Sequence, residues 1–145
     1  MDNNAKEIEE ETHRLSLCNI DWSSVTSKEI FLLCNSVREK GSSENVIRSV
    51  KIYKSNFGKE RAEYESKFGP YGLKEFMEKH GESEKAMERF TRKYEVDKLR
   101  YHYAIIDSMS SNDALKIYNE FNGIEFMRSG IILDLRYFST KILAI

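Results

Sequence analysis

Apolar and polar positions alternate along Leu15-Ser16-Leu17-Cys18-Asn19-Ile20, which predicts a first strand with Leu15 and Leu17 on one face and Ser16 and Cys18 on the other. After an Asp21-Trp22-Ser23-Ser24 turn, Ile30, Phe31, Leu33, Cys34 and Val37 recur at helical spacing behind Ser27. A helix from about Lys28 to Glu39 is expected. Gly41-Ser42-Ser43 ends it, and Val46 to Lys54 resumes the two-residue period, with Val50 and Ile52 facing one way and Ser49, Lys51 and Tyr53 the other. Tyr101 to Ser108 alternates most sharply, Tyr101, Tyr103, Ile105 and Asp107 sharing a face. A cap in Ser110-Ser111-Asn112-Asp113 precedes a second amphipathic helix through Ala114, Leu115, Ile117, Tyr118 and Phe121, closed at Asn122-Gly123. Ile131 to Phe138 then predicts a fourth strand with Leu133 and Leu135 toward the core.

Residues 59–98 interrupt this order as a charge-dense helical insert, broken at Gly69-Pro70-Tyr71-Gly72 and at His80-Gly81. Met87, Phe90 and Tyr94 lie on one stripe behind a Ser83 cap, a stripe expected to pack on the main body. With the insert set aside, the order strand, helix, strand, strand, helix, strand is that of a split-βαβ, α+β sandwich. A four-stranded antiparallel sheet then carries two helices on one face. The opposite face is expected to stay uncovered and to present Ser16, Cys18, Ser49, Lys51, Tyr53, Tyr101, Tyr103, Ile105, Asp134 and Arg136.

Composition narrows the function. The 145 residues suit one domain, and 40% hydrophobic with 32% charged residues permits a packed core under a solvated surface. Residues 1–11, with five acids against Lys6, are expected to be a disordered tail, and 12–145 a single domain. Lys plus Arg number 23 against 24 Asp plus Glu, so any polyanion site must be a local patch. No run approaches the ~18 apolar residues of a membrane helix, and the N-terminus lacks the form of a secretory signal, so a soluble, unsecreted chain without membrane attachment is expected. Cys18 and Cys34 fit neither a metal knuckle nor a disulfide framework and read as reduced. No phosphate loop, zinc-protease helix or nucleophile elbow occurs, and His13, His80 and His102 are not at ligand spacing. No catalytic residue, metal site, cofactor or small-molecule substrate is expected.

Aromatic rings with nearby cations on an open sheet suit unpaired RNA bases and their phosphates. The chain resembles the RNA-recognition motif (ferredoxin-like βαββαβ): Leu15 to Ile20 occupies the shorter ribonucleoprotein motif and Tyr101 to Ser108 the longer. The usual stacking positions of that motif fall on Ser16, Tyr103 and Ile105, only one of them aromatic, and its basic and glycine positions fall on Tyr101 and His102. A narrower resemblance runs through Arg14-Leu15, Cys18-Asn19, Asp21-Trp22, Val50-Lys51-Ile52-Tyr53, Phe57-Gly58-Lys59-Glu60-Arg61, Tyr103-Ala104, Lys116-Ile117-Tyr118 and Asp134-Leu135-Arg136. Over about residues 12–138 these are similar to the N-terminal domain of the Eighteen-S Factor family of nucleolar proteins. The resemblance implies a non-enzymatic role in the nucleolus of the nucleus, in small-subunit (18S) pre-ribosomal RNA processing, with pre-ribosomal RNA and other small-subunit assembly factors as partners.

The candidate RNA contacts are Tyr103, Tyr53, Lys51, Tyr101, Arg136, Lys59, Arg61 and Arg100. Some have a structural alternative: Tyr103 packing under the insert or a tail, and Tyr53 and Tyr101 chosen for strand propensity; beside Lys59 and Arg61, Phe57 and Gly58 are expected to join the insert to the sheet edge. Trp22 reads as a core anchor and His102 as an interior or edge residue. Lys85, Arg89, Arg92 and Lys93 fall on one side of a helix, either as a solvated face or as a phosphate-contacting stripe. The alternative function is a protein-interaction scaffold whose degenerate sheet face docks a partner instead of RNA.

Overall fold

The computed structural model describes residues 12–127 and 129–138, so the expected acidic tail lies outside the described residues. Strands β1 (Arg14–Cys18), β2 (Ile47–Lys54), β3 (His102–Ser108) and β4 (Asp134–Tyr137) form one sheet in the order β2-β3-β1-β4, all neighbours antiparallel. Helix α1 (Ser27–Asn35) follows β1; α2 (Asn56–Phe68), α3 (Leu73–His80) and α4 (Glu84–Lys98) make the insert between β2 and β3; α5 (Ser111–Phe121) joins β3 to β4. This is the anticipated split-βαβ arrangement.

Strand alternation places Leu15, Leu17, Ala104, Ile106 and Leu135 on one face, where they bury against Ile30 and Cys34 of α1 and Ala114 and Ile117 of α5. Burying each large aliphatic group contributes about 1.5–3 kcal/mol, so this layer fixes which face of every strand points inward. Cys18 and Cys34 are both buried and form no disulfide with each other. Asn35 ties α1 to β2: its Oδ1 accepts the N–H groups of Val46 (2.8 Å) and Ile47 (3.4 Å).

Four boundaries differ from the sequence reading. Helix α1 is capped by Thr26, not Ser27, because Thr26 and Glu29 form a reciprocal capping box. It also stops at Asn35, whose amide is drawn to β2. The insert begins at Asn56 under a Ser55 cap. Only Asp134 to Tyr137 of the predicted fourth strand joins the sheet, because residues 131–133 turn back as a small hairpin, with Phe126 N–H on Ile131 O (2.8 Å) and Leu133 N–H on Ile124 O (2.9 Å). The α4 stripe packs within the insert rather than on the main body: the Phe90 ring meets Phe76 of α3 at 5.4 Å, and the Tyr94 hydroxyl bonds Glu65 of α2. With 32% of the chain charged, these short helices bury their few rings against one another.

Candidate nucleic-acid interface

The sheet face opposite α1 and α5 is closed at its centre, contrary to the expected open platform. Ser16, Tyr103 and Ile105 are 0%, 2% and 5% exposed, and Cys18, Tyr103, Ile105 and Phe138 form a second apolar cluster there. Phe138 follows β4 directly; its N–H bonds Arg14 O (2.9 Å), Thr12 Oγ1 donates to its carbonyl (2.8 Å), and its ring stands 6.2 Å from that of Tyr103. One residue beyond the strand thus carries an aromatic ring back over the central positions. The signal was present in the terminal Tyr137-Phe138 pair, but a ring directly after a strand reads equally as the strand's last core position.

Cross-strand register aligns Lys51, Ile105, Ser16 and Arg136 in one row and Tyr53 with Tyr103 in the next. From centre to edge the rows become exposed. Tyr53 on edge strand β2 is 39% exposed, and its ring stacks on Tyr103 with centroids 5.9 Å apart and planes inclined by 27°. Lys51 and Lys54 on β2 and Lys59 on the first turn of α2 are exposed and make no ion pair among the described residues. On β4, Arg136 Nη2 lies 2.9 Å from Asp134 Oδ2, and Asn19 donates to the same carboxylate oxygen at 2.9 Å. Asp107 is held by His13 (2.9 Å) and by Arg14 (3.9 Å). On the strands, Lys51 and Lys54 of the β2 edge are thus exposed cations without an ion pair among the described residues.

The remaining expected contacts gather where the insert meets β3. Arg61 is sandwiched between the Phe57 ring (4.4 Å) and the Tyr71 ring (3.6 Å) and pairs with Asp97 at 3.7 Å. Arg100 covers the other side of the same assembly, 4.3 Å from the Phe57 centroid and 3.4 Å from Asp97. The Tyr101 hydroxyl donates to Glu65 at 2.9 Å, and its ring meets Phe57 edge-on at 5.6 Å. Burial first, and the Glu65 hydrogen bond and charge next, raise the Tyr101 and Tyr94 hydroxyls above their ordinary titration range. Gly58 makes this approach possible: a Cβ there would stand 2.2 Å from Tyr101 O. The Phe57-Gly58-Lys59-Glu60-Arg61 block thus locks insert to sheet through Phe57, Gly58 and Arg61, and turns Lys59 to solvent.

His102, on the helix side of β3 beside Lys54, is pushed below its ordinary pKa by burial and then by the lysine. Among the described residues no cluster of His, Cys, Asp or Glu can hold a metal ion, and no helix is long and apolar enough to cross a membrane.

A four-stranded antiparallel sheet in this order, backed by two helices, is the ferredoxin-like arrangement of RNA-recognition-motif domains, here with a three-helix insert before β3. Residues 12–142 match the family model described as the ESF1 RRM domain, and the chain belongs to that family. The human ESF1 homolog is 39% identical over 137 residues, covering 94% of this chain and 16% of the human protein. The pre-rRNA-processing protein ESF1 of Saccharomyces cerevisiae is 30% identical over 151 positions, covering 85% of this chain and 23% of the yeast protein. The chain thus spans under a quarter of the length of these relatives. No solved structure matches it.

Proposed function

We propose that this domain binds pre-ribosomal RNA as part of a non-enzymatic ribosome-biogenesis factor of the nucleolus, working beside other small-subunit assembly factors. The similarity to the yeast pre-rRNA-processing protein ESF1 and the match to the ESF1 RRM family support the assignment. The observation that carries the mode of binding is the exposed Tyr53 ring stacked on buried Tyr103, with exposed Lys51 two positions before it on the same face of β2 and exposed Lys59 on the first turn of α2, which follows β2. A base stacking on Tyr53 would extend the aromatic pair outward while the lysines neutralise adjacent phosphates. RNA contact thereby moves from the sheet centre to its β2 edge.

The test is affinity for a single-stranded RNA oligonucleotide across a salt series. Tyr53→Ala should weaken binding by about 1–3 kcal/mol, Tyr53→Phe should leave it nearly intact, and Lys51→Gln should flatten the salt dependence. Equal affinities for wild type and Tyr53→Ala would remove the ring from the site.

A second reading, docking of a partner protein, is favoured by Ile124, Met127 and Ile132, all more than half exposed around the hairpin before β4. Ile132→Lys should then abolish co-assembly with a pre-ribosomal protein and leave RNA affinity unchanged.

A further inference from the structure

Helix α4 segregates its charges. Lys85, Arg89 and Lys93 stand at i, i+4 and i+8 with Arg92 beside them, while Glu84, Glu88 and Glu95 follow a separate ridge. All four cations are exposed, and none makes an ion pair among the described residues. Arg89 does stand 5.9 Å from the Phe76 ring centroid. Interleaved signs would stabilise an isolated helix, whereas Lys85–Arg89 and Arg89–Lys93 are like-charge neighbours one turn apart, an arrangement that works against the helix. The ridge rises about 12 Å along the helix axis.

Of the four cations Arg92 also lines a cleft of about 590 Å³ between α4 and the β1–α1 turn, whereas Lys93 lines a smaller one beside Phe76 and Phe90. Ile20, Trp22, Val96 and Leu99 line the larger cleft, with Arg92 on the near rim and Asp21, Glu95, Lys98 and His102 around it. Val96 is 59% exposed there, an apolar side chain set beside the cations. The Trp22 indole N–H is buried without a hydrogen-bond partner among the described residues.

We propose that the α4 ridge and this cleft form a second RNA contact, in which the four cations take consecutive backbone phosphates and the cleft takes an unpaired base. The inference rests on the RNA-binding reading above but uses different residues, since no β2 residue lines the cleft. Phosphates meet the requirement for closely spaced negative charge along one ridge, and the base meets an apolar floor of indole and aliphatic groups. The carboxylates of Asp21 and Glu95 at the rim are acceptors for the amino hydrogens of a base.

Trp22 is the chain's one tryptophan, so its emission reports on this cleft. The experiment titrates the whole chain with a mixed-sequence single-stranded RNA oligonucleotide and follows Trp22 fluorescence and affinity over a salt series. The comparison is the combined variant Lys85→Gln, Arg89→Gln, Arg92→Gln and Lys93→Gln. Glutamine keeps the helix propensity and removes only charge, and a melting curve verifies folding. The expected result is an emission change in wild type that disappears in the variant, with the slope of log K against log salt reduced by about 3.

An unchanged slope and emission in the variant, while Tyr53→Ala still weakens binding, would overturn the ridge and leave the β2 edge standing. The reverse pattern would sustain the ridge and remove the edge. No RNA affinity in wild type would overturn both. If polyglutamate changes Trp22 emission and RNA does not, the ridge is a surface for acidic protein segments and the proposal fails.

Discussion

Gly58→Ala separates the local preference of the chain from the tertiary contact imposed on it. In a helix free of neighbours, alanine is more favourable than glycine by about 1 kcal/mol, so the substitution should stabilise α2. Here the new methyl would stand 2.2 Å from Tyr101 O and 2.9 Å from Tyr101 C and Cα, all backbone atoms that no side-chain rotation can move. The same junction carries Ser55 N–H on Tyr101 O (2.8 Å), Ser55 Oγ donating to Arg100 O (2.6 Å), and Gly58 N–H on Ser55 Oγ (2.9 Å). Relieving the clash must separate α2 from the start of β3 and stretch these bonds. Overpacking costs about 1–3 kcal/mol and a weakened cap about 1 kcal/mol. Against the propensity gain the net effect is a loss of about 1–3 kcal/mol, near a 1 M fall in the urea midpoint. Urea titration followed by circular dichroism measures it, with Ala62→Gly on the exposed side of α2 as the propensity control. A midpoint for Gly58→Ala at or above wild type would refute the close approach of α2 to Tyr101.

Three further outcomes test other parts of the fold. Asn35→Ala leaves the Val46 and Ile47 N–H groups without their acceptor and should cost about 1–3 kcal/mol, read by the same titration; a loss below 0.5 kcal/mol would show that the amide does not tie α1 to β2. Burial pushes the Cys34 thiol up to about 12, so in folded protein near neutral pH it should resist a thiol reagent until the chain unfolds, and rapid native-state labelling at Cys34 would contradict that packing. The Tyr94 and Tyr101 hydroxyls are raised in the folded state, which therefore holds their protons more tightly than the unfolded chain does. Their stabilising contribution is complete below about pH 10 and is lost as pH climbs from there toward the folded values. An absorbance titration should show late-ionising tyrosine in the wild type, and Glu65→Gln should bring that fraction earlier; an unchanged titration in Glu65→Gln would contradict the Glu65 cluster.

Period and punctuation were enough to reveal the order of strands and helices along the chain and the helix side of the strands, because Leu15, Leu17, Ala104 and Ile106 alternate strictly with residues of the other face. Local chemistry also marked the ends of the insert helices: Gly69-Pro70, His80-Gly81 and the Ser83 cap act through their own backbone conformations and hydrogen bonds. What could not be read were long-range choices. Whether Tyr103 meets solvent depends on Phe138 and Tyr53, which come from two other parts of the chain. Arg61 and Lys59 have similar sequence surroundings, yet one closes a π-sandwich and the other is exposed, because Tyr71 of the α2–α3 turn and Asp97 of α4 reach only Arg61. The α4 stripe turned inward on the insert for the same reason.

The most direct measurement is the map of backbone amide shifts when the isotope-labelled chain is titrated with single-stranded RNA. The expected map has its largest changes at Lys51 to Lys54, on the first turn of α2 around Lys59, and along Lys85 to Lys93, with small changes at Ser16 and Ile105. Changes centred on Ser16, Tyr103 and Ile105 would mean that the closed face opens to take bases in the ordinary way, and would contradict an RNA site displaced to the β2 edge.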